Sequence, residues 1–347
     1  MEQVNKRIVT LDIAKLIMMM FVITIHYGFF GLNESFKATL PRVGVPFFLI
    51  VTGYFLYSSD IKLQNRKYIR ALIKSLLMSI FAFSLYFIYE MLITSPVEVI
   101  NSFKNIKDLK RFLIFHDHSL NSHLWYIFSY PTALSITYLL LRLVKNNKVL
   151  ISIASGLLLL NLLIGNYSIF LGIKTELCHS RNAYLCSTPF MLVGALIKKN
   201  NKLFIKKYTY QYLLFGLILF ILQFFEFKFF CIFRPLEKTD LFITTIVSVI
   251  FLFIGLINID IKYNSFYKIY DKNIPFLMYI LQRIVNNLSW KINQLHIILN
   301  SRFHSLYIFI VLYVVAFILC KLLNLLISLI KGGFKREKRF IGNNFIN

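Results

Sequence analysis

The chain has 347 residues, 58% of them hydrophobic, and its mean hydropathy is +0.67. That composition excludes a soluble domain of this length, because apolar runs of about 18 residues or more recur along the sequence. The net charge of +24 does not indicate a nucleic-acid-binding protein, since the basic residues lie in short clusters between apolar segments. We therefore predict an all-α integral membrane protein.

Ten apolar segments are each predicted to be a transmembrane helix, and together they form a single domain over residues 1–347. Their predicted limits are 8–30, 42–58, 72–94, 122–142, 149–171, 184–198, 208–230, 240–258, 273–291 and 305–330. Two of them, 42–58 and 184–198, are short for a hydrocarbon core about 30 Å thick, so we expect tilting or local thinning of the bilayer there. We do not expect the first segment to be a cleaved signal peptide, because it contains Asp12 and Lys15 and lacks a small-residue cleavage site.

The distribution of Lys and Arg residues predicts how these helices are oriented. Connections on the same side as the N-terminus carry the larger share of basic residues, which predicts that both termini are cytoplasmic. The basic tail from about residue 331 is then cytoplasmic, and the long basic loop 95–121 lies outside. We expect a multi-pass protein of the cell membrane. The oligomeric state stays open, since no GxxxG pairing motif occurs in the predicted spans.

The first segment combines an apolar composition with three polar side chains, Asp12, Lys15 and His26. A charged side chain at membrane depth costs roughly 2.5–3.5 kcal/mol on insertion scales, so such residues usually face the bundle interior and serve a function. Asp12 and Lys15 are three residues apart and can pair, which lowers the cost of burying both. Lys15 and His26 are separated by about three helical turns, or roughly 16 Å along one helix face.

These positions also carry a family resemblance. They form the pattern LD-x2-K-x10-H, and the sequence resembles membrane acyltransferase family 3, whose first helix usually reads LD-x2-R/K-x10-H. Four later segments resemble the family in the same order along the chain: RVGVPFFLIVTGYFL (42–56), HLWYI (123–127), PFMLVGALI (189–197) and DLFITTI (240–246). The resemblance implies a membrane O-acyltransferase that transfers acetyl from cytoplasmic acetyl-CoA to a hydroxyl of a cell-surface or lipid-linked glycan.

Acyl transfer to a hydroxyl assigns roles to the residues of the first two segments. His26 suits the general base, because histidine is the usual residue for proton transfer near working pH. Arg42 suits either the oxyanion or the phosphates of the donor, and Lys15, with Asp12 as its positioning partner, suits polar contacts along acetyl-CoA. Each residue also has a structural interpretation: a packing histidine, an interfacial arginine and a buried ion pair.

Four residues of the outer side are candidates for binding the acceptor. Glu176 could orient His26 or bind a sugar hydroxyl, and Arg181 could bind an anionic acceptor. The alternative is a solvated loop, and the same default applies to Glu237 and Asp240 before the eighth span. His123 and Trp125 could form a platform on which a sugar stacks, although an interfacial anchor is the commoner role of such a tryptophan.

Two alternative functions remain open from the sequence. One is a transporter or flippase-like carrier of a small solute or lipid-linked sugar, in which the intramembrane Lys and Asp bind substrate or protons. The other is an inactive scaffold for glycan assembly. One position departs from the family, because Gln282 stands where a histidine is common and glutamine cannot titrate.

The four cysteines do not have the spacing of a metal site, and we expect no metal cofactor. Cys178, Cys186 and Cys231 fall near the outer surface in the predicted topology. They could therefore form one disulfide, and free cysteines packed in the membrane are the alternative.

Overall fold

The computed structural model describes residues 8–27, 34–204, 206–233, 240–259, 261, 269–293 and 304–343. The structure is 87% helical, and no strand occurs in this part of the chain. The helices of the described residues are α1 Val9–Tyr27, α2 Glu34–Thr39, α3 Gly44–Leu56, α4 Ile61–Ile93, α5 Pro96–Lys104, α6 Ile106–Phe115, α7 Trp125–Leu143, α8 Asn147–Ile164, α9 Leu177–Ser180, α10 Thr188–Lys199, α11 Thr209–Phe233, α12 Ile243–Ile257, α13 Ile274–Asn293 and α14 His304–Asn343.

Each of the ten predicted spans coincides with a helix, and six helical segments are long and apolar enough to cross a membrane. These six are Val9–His26, Ile61–Ile93, Ser122–Leu143, Asn147–Ile164, Lys206–Phe233 and Leu306–Leu325. Two shorter apolar helices, Leu40–Leu56 and Ile243–Ile257, match the predicted spans 42–58 and 240–258. The all-helical, multi-pass architecture is therefore confirmed, whereas ten crossings and two cytoplasmic termini stay predictions.

The described helices fall into two compact units, α1 to α12 in the first and α13 with α14 in the second. The core of the first unit is built from α1, α3, α10 and α12, where Leu11, Phe47, Met191 and Phe253 are fully buried. The outer sides of α4 and α11 are instead rich in exposed leucine, isoleucine and phenylalanine. An exposed apolar surface of this size on a membrane-spanning helix is the surface that lipid covers.

Two glycines bring α3 and α10 into close contact in the core. An ideal Cβ built on Gly53 of α3 would lie 1.9 Å from the carbonyl oxygen of Met191 in α10. The reciprocal Cβ on Gly194 of α10 would lie 2.0 Å from the carbonyl oxygen of Ile50. The two backbones therefore touch, which is the close approach that small residues permit between membrane helices even without a GxxxG motif.

The contacts between α1 and α3 show that the two helices run antiparallel. A Cβ on Gly44, at the start of α3, would lie 2.9 Å from the carbonyl oxygen of Met18. Near the end of α3, the Phe55 ring lies 5.9 Å from the Nζ atom of Lys15. The two helices therefore form a hairpin, named here the α1–α3 hairpin. Lys15 lies at one end of it, and the last turn of α1 lies at the other, beside the turn that precedes α3.

In the second unit, α14 continues as one helix to Asn343, so the basic segment from residue 331 extends that helix. The Tyr313 hydroxyl donates to the carbonyl oxygen of Ile269 at 2.5 Å, which ties α14 to the chain before α13. Gln282, the position that departs from the family, is fully buried in α13. Neither polar atom of its side chain has a hydrogen-bond partner among the described residues.

Candidate active site

The polar pair predicted in the first helix is present. The Nζ atom of Lys15 donates to Oδ1 of Asp12 at 2.9 Å, one turn earlier on α1. Asp12 is almost fully buried, and one fifth of the Lys15 side chain is exposed. The carboxylate compensates the lysine charge within the apolar helix, and the lysine ammonium group keeps access to the space beside α3.

Two further lysines gather at this end of α3, and the sequence did not single them out. Lys67 of α4 donates from Nζ to the carbonyl oxygen of Phe55 at 3.1 Å. The Nζ atom of Lys198 in α10 lies 4.7 Å from the centre of the Tyr54 ring, and its charge interacts with that of Lys67. Together with Lys15 they form the lysine cluster, three cations from three helices beside Tyr54 and Phe55.

His26 and Arg42 lie at the opposite end of the α1–α3 hairpin. His26 is exposed in the last turn of α1, and basic side chains are favoured at this position because the helix dipole is negative there. Arg42 lies in the 3-10 turn Leu40–Val43, where its Nε atom is 3.5 Å from the carbonyl oxygen of Ala38. The structure thus brings the two predicted catalytic residues to the same end of the fold.

Arg42 belongs to a buried polar cluster around Asp240. Arg181 donates from Nε to Oδ1 of Asp240 at 3.3 Å, and Ser180 donates from its hydroxyl to the same carboxylate. The backbone N–H of Asp240 donates to Oδ1 of Asn166 at 2.8 Å. Arg42 is close enough to interact electrostatically with both Arg181 and Asp240.

The buried carboxylate corrects one expectation. Asp240 was expected to be a solvated loop charge, but only 5% of the residue is exposed. Glu237, for which the same was expected, lies outside the described residues. Arg181 was a candidate for binding an anionic acceptor, and its guanidinium stands in an ion pair whose side chains are 19% and 7% exposed. Asp240 therefore fixes where the charge of Arg181 lies.

The charged network continues from Arg181 to the surface. Asp117 interacts electrostatically with Arg181 and accepts a hydrogen bond of 2.9 Å from Nε of Arg111 in α6. Arg111 also pairs with Glu176, at 2.9 Å between Nη1 of Arg111 and Oε2 of Glu176. The five charges Arg111, Asp117, Arg181, Asp240 and Arg42 thus alternate in sign from an exposed helix to a buried turn.

The carboxylate of Glu176 is largely exposed and pairs with Arg111. The two roles expected for it, orienting His26 or binding a sugar hydroxyl, stay predictions. Burial raises the pKa of Asp117 above its usual value, and the neighbouring Arg111 opposes that rise. Burial also lowers the pKa of His116 and of His118, which flank Asp117. The charged network that begins at Arg42 therefore ends among both exposed and desolvated titratable groups.

His123 and Trp125 lie at the start of α7 and contact aromatic rings. The imidazole of His123 is 4.7 Å from the Tyr86 ring of α4, and the indole of Trp125 is 6.3 Å from the Tyr126 ring. Trp125 is half-buried against the core of the first unit. These edge-to-face contacts are compatible with packing, so a role in sugar binding stays a prediction.

All four cysteines are free, so Cys178, Cys186 and Cys231 do not form the disulfide that was considered. Among the described residues no group of three or more His, Cys, Asp and Glu side chains has the arrangement of a metal site. The polar groups that converge at the two ends of the hairpin are cations, carboxylates and a histidine, which suit binding of anions and transfer of protons.

The comparisons with known proteins decide the family. A family model described as an acyltransferase domain matches residues 8–325, nearly the whole chain. The chain belongs to acyltransferase family 3. No curated protein and no solved structure matches it. In this family 3 acyltransferase, the lysine cluster lies at one end of the α1–α3 hairpin and His26 lies at the other. Arg42, Arg181 and Asp240, here named the arginine–aspartate cluster, lie at the same end as His26.

The sequence missed Asp240, Lys67 and Lys198 as members of these two ends. Asp240 directly precedes an apolar segment, which resembles an ordinary loop charge at a membrane surface. Lys67 and Lys198 occur in basic runs that were used only to orient the helices. A weak signal existed for Asp240, since it opens one of the segments that resemble the family.

Proposed function

We propose that this acyltransferase transfers acetyl from cytoplasmic acetyl-CoA to a hydroxyl of a cell-surface or lipid-linked glycan. The observation that carries the proposal is the separation of two unlike polar ends along one helical hairpin. The lysine cluster lies at one end, and His26 with Arg42 lies at the other. A long donor with phosphates at one end and a thioester at the other matches this arrangement.

The lysine cluster supplies the charge that the donor needs. Acetyl-CoA carries several phosphate charges, and Lys15, Lys67 and Lys198 present three ammonium groups beside Tyr54 and Phe55. Ammonium groups bind phosphates as point charges, and an aromatic ring offers a surface on which a nucleobase can stack. The donor phosphates and adenine would bind here, with the flexible arm directed along α1.

The opposite end supplies the groups for acyl transfer. His26 would accept the proton of the acceptor hydroxyl while its oxygen forms a bond to the thioester carbonyl carbon. Arg42 would stabilise the oxyanion, and collapse of the tetrahedral intermediate would break the carbon–sulfur bond. The imidazolium of His26 would then return the proton to the leaving thiolate of CoA, which balances the reaction without a metal or redox cofactor.

The acceptor would bind beside the arginine–aspartate cluster. Arg181 is held by Asp240, and its charge is near both Arg42 and Asp117. A glycan with a phosphate or carboxylate would gain a charge-assisted contact there. Glu176, His123 and Trp125 remain proposed contacts for sugar hydroxyls and ring faces on the same side.

The test is acetylation of surface glycans in cells that express either the native chain or the His26→Ala variant. Base-labile acetate is measured on extracted glycans, and the amount of folded protein in the membrane is measured in parallel. We expect loss of acetylation at equal protein levels, because the variant lacks the imidazole proposed to remove the hydroxyl proton. Acetylation retained in His26→Ala would refute the role of this histidine.

A further inference from the structure

Two short helices, α5 and α6, occupy the connection between α4 and α7. Both flanking segments are long and apolar enough to span a membrane. Helix α6 has 10 residues, so at about 1.5 Å per residue it is about 15 Å long, half of a hydrocarbon core of about 30 Å. It does not cross the bilayer and must lie at the membrane face where α4 ends and α7 begins.

One side of this pair of helices packs on the protein. The Phe112 ring of α6 lies 5.3 Å from the Phe128 ring of α7 and 6.2 Å from the Phe83 ring of α4. The Phe103 ring of α5 lies 5.7 Å from Phe83. Arg111, on the same side of α6, makes the ion pairs with Asp117 and Glu176. These contacts fix which side of α6 faces away from the protein.

The other side of α6 is divided into an apolar stripe and a basic stripe. Ile106, Leu109 and Leu113 follow the i, i+3, i+7 spacing of one helix face, and Ile106 and Leu113 are 67% and 64% exposed. Lys107 and Lys110 are exposed along one edge of that stripe, with the half-exposed Ile114 between them. A helix with this division is suited to lie in a membrane interface, with apolar side chains towards the acyl chains and lysines at the phosphates.

The apolar stripe is continuous with the surface that α4 presents to lipid. Leu92, in the last turn of α4, is 80% exposed. Val97 and Ile100 of α5 continue this exposed apolar surface towards α6. A protein partner would have to cover the lipid-facing side of α4 as well, whereas the bilayer covers both surfaces at once.

We propose that α5 and α6 form a platform that binds the anionic surface of the lipid bilayer. Leu109 and Leu113 insert among the acyl chains, and Lys107 and Lys110 contact the phosphates of acidic headgroups. The platform holds Arg111 at headgroup level. If acyl transfer proceeds as proposed above, this places the outer end of the charged network where a lipid-linked acceptor is presented.

The test places an environment-sensitive fluorophore on single cysteines of the purified full chain. The background is Cys231→Ser, because Cys231 is half-buried and the other three cysteines are buried. The labelled positions are Leu113→Cys in the apolar stripe, Leu92→Cys as the lipid-exposed control and Lys148→Cys, at the exposed start of α8, as the aqueous control. The protein is reconstituted in vesicles of phosphatidylcholine with phosphatidylglycerol, and iodide is present on both sides of the membrane so that it reaches both membrane faces.

We expect the label at Leu113 to be quenched by nitroxide-labelled lipid as strongly as the label at Leu92, and to be shielded from iodide. Quenching by iodide at the level of the Lys148 control would overturn the proposal and make a partner protein the better occupant. The double change Lys107→Gln, Lys110→Gln should reduce lipid quenching at position 113 several-fold in these vesicles. No reduction would overturn the role of the acidic headgroups. Neither readout depends on acyl transfer.

Discussion

Replacing Gly53 or Gly194 by alanine should damage the contact between α3 and α10 more than any other single-methyl change in the core. The added Cβ of Gly53→Ala would lie 1.9 Å from the Met191 carbonyl oxygen, and that of Gly194→Ala 2.0 Å from the Ile50 carbonyl oxygen. Ordinary contacts of a Cβ atom begin at 3.4 Å. The obstructing atoms are backbone, so the two helices must separate by more than an ångström.

The magnitude follows from the kind of clash. Overpacking a close-packed interior typically costs about 1–3 kcal/mol when side chains can shift. Here a backbone must move, so we expect a loss of about 3 kcal/mol for each variant. At roughly 2–4 °C per kcal/mol for large domains, the thermal midpoint should fall by about 6 °C or more. Acetyl-CoA binding should weaken as well, because Tyr54 and Phe55 directly follow Gly53.

The assay is thermal unfolding of the purified chain in detergent, with Gly156→Ala as the matched control. Gly156 also lies inside a helix, α8, but nothing lies within 4 Å of its added Cβ. Alanine there should leave stability unchanged or raise it by about 0.5–1 kcal/mol through helix propensity. Unfolding of Gly53→Ala at the temperature of Gly156→Ala would refute the close backbone contact.

Three further predictions follow from the polar groups. Asp240→Asn removes the charge that pairs with Arg181. Since Arg181 is partly exposed, we expect the free energy of unfolding to fall by about 2 kcal/mol, measured by thermal unfolding. An unchanged thermal midpoint would contradict the ion pair. Glu226→Gln weakens the carboxylate that accepts the N–H groups at the start of α12, so hydrogen exchange should rise in its first turn but not in α10. Burial lowers the pKa of His116 and His118 below 6.5. Around that pH the unfolded segment therefore binds more protons than the folded one. The stabilisation that is present above about pH 6.5 is lost on acidification. Intrinsically corrected exchange at 116–118 should therefore speed up at about pH 5.5, and pH-independent exchange would contradict it.

Helices were predictable because the bilayer demands long apolar segments, and all ten predicted spans coincide with helices. The structure inside the loop 95–121 was not foreseen, although α6 has the spacing of an amphipathic helix. Its apolar residues are interrupted by lysines, so the segment falls below the hydropathy of a membrane span and was not predicted as a helix. The close approach of α3 and α10 was likewise hidden, because each helix contributes only one glycine to it.

The candidate site was predictable where one helix or one hairpin carries it. Asp12 and Lys15 are one turn apart on α1, so their pairing follows from helix geometry. The pairing of Arg181 with Asp240 joins two connections that are far apart in sequence, and the pattern of charges does not encode it. The pairing of Glu176 with Arg111 was not predicted either, because it depends on the unforeseen helix α6.

The measurement that tests the acyltransferase account most directly is acetyl-CoA binding by the purified chain in detergent. The variants are Lys15→Ala and Arg42→Ala, with Lys148→Ala as a control for loss of one exposed cation. We predict that the native chain and the control bind acetyl-CoA. Lys15→Ala should weaken binding about tenfold, which corresponds to about 1.4 kcal/mol. Arg42→Ala should weaken binding as well. Absence of binding by the native chain would contradict the account and favour a membrane carrier.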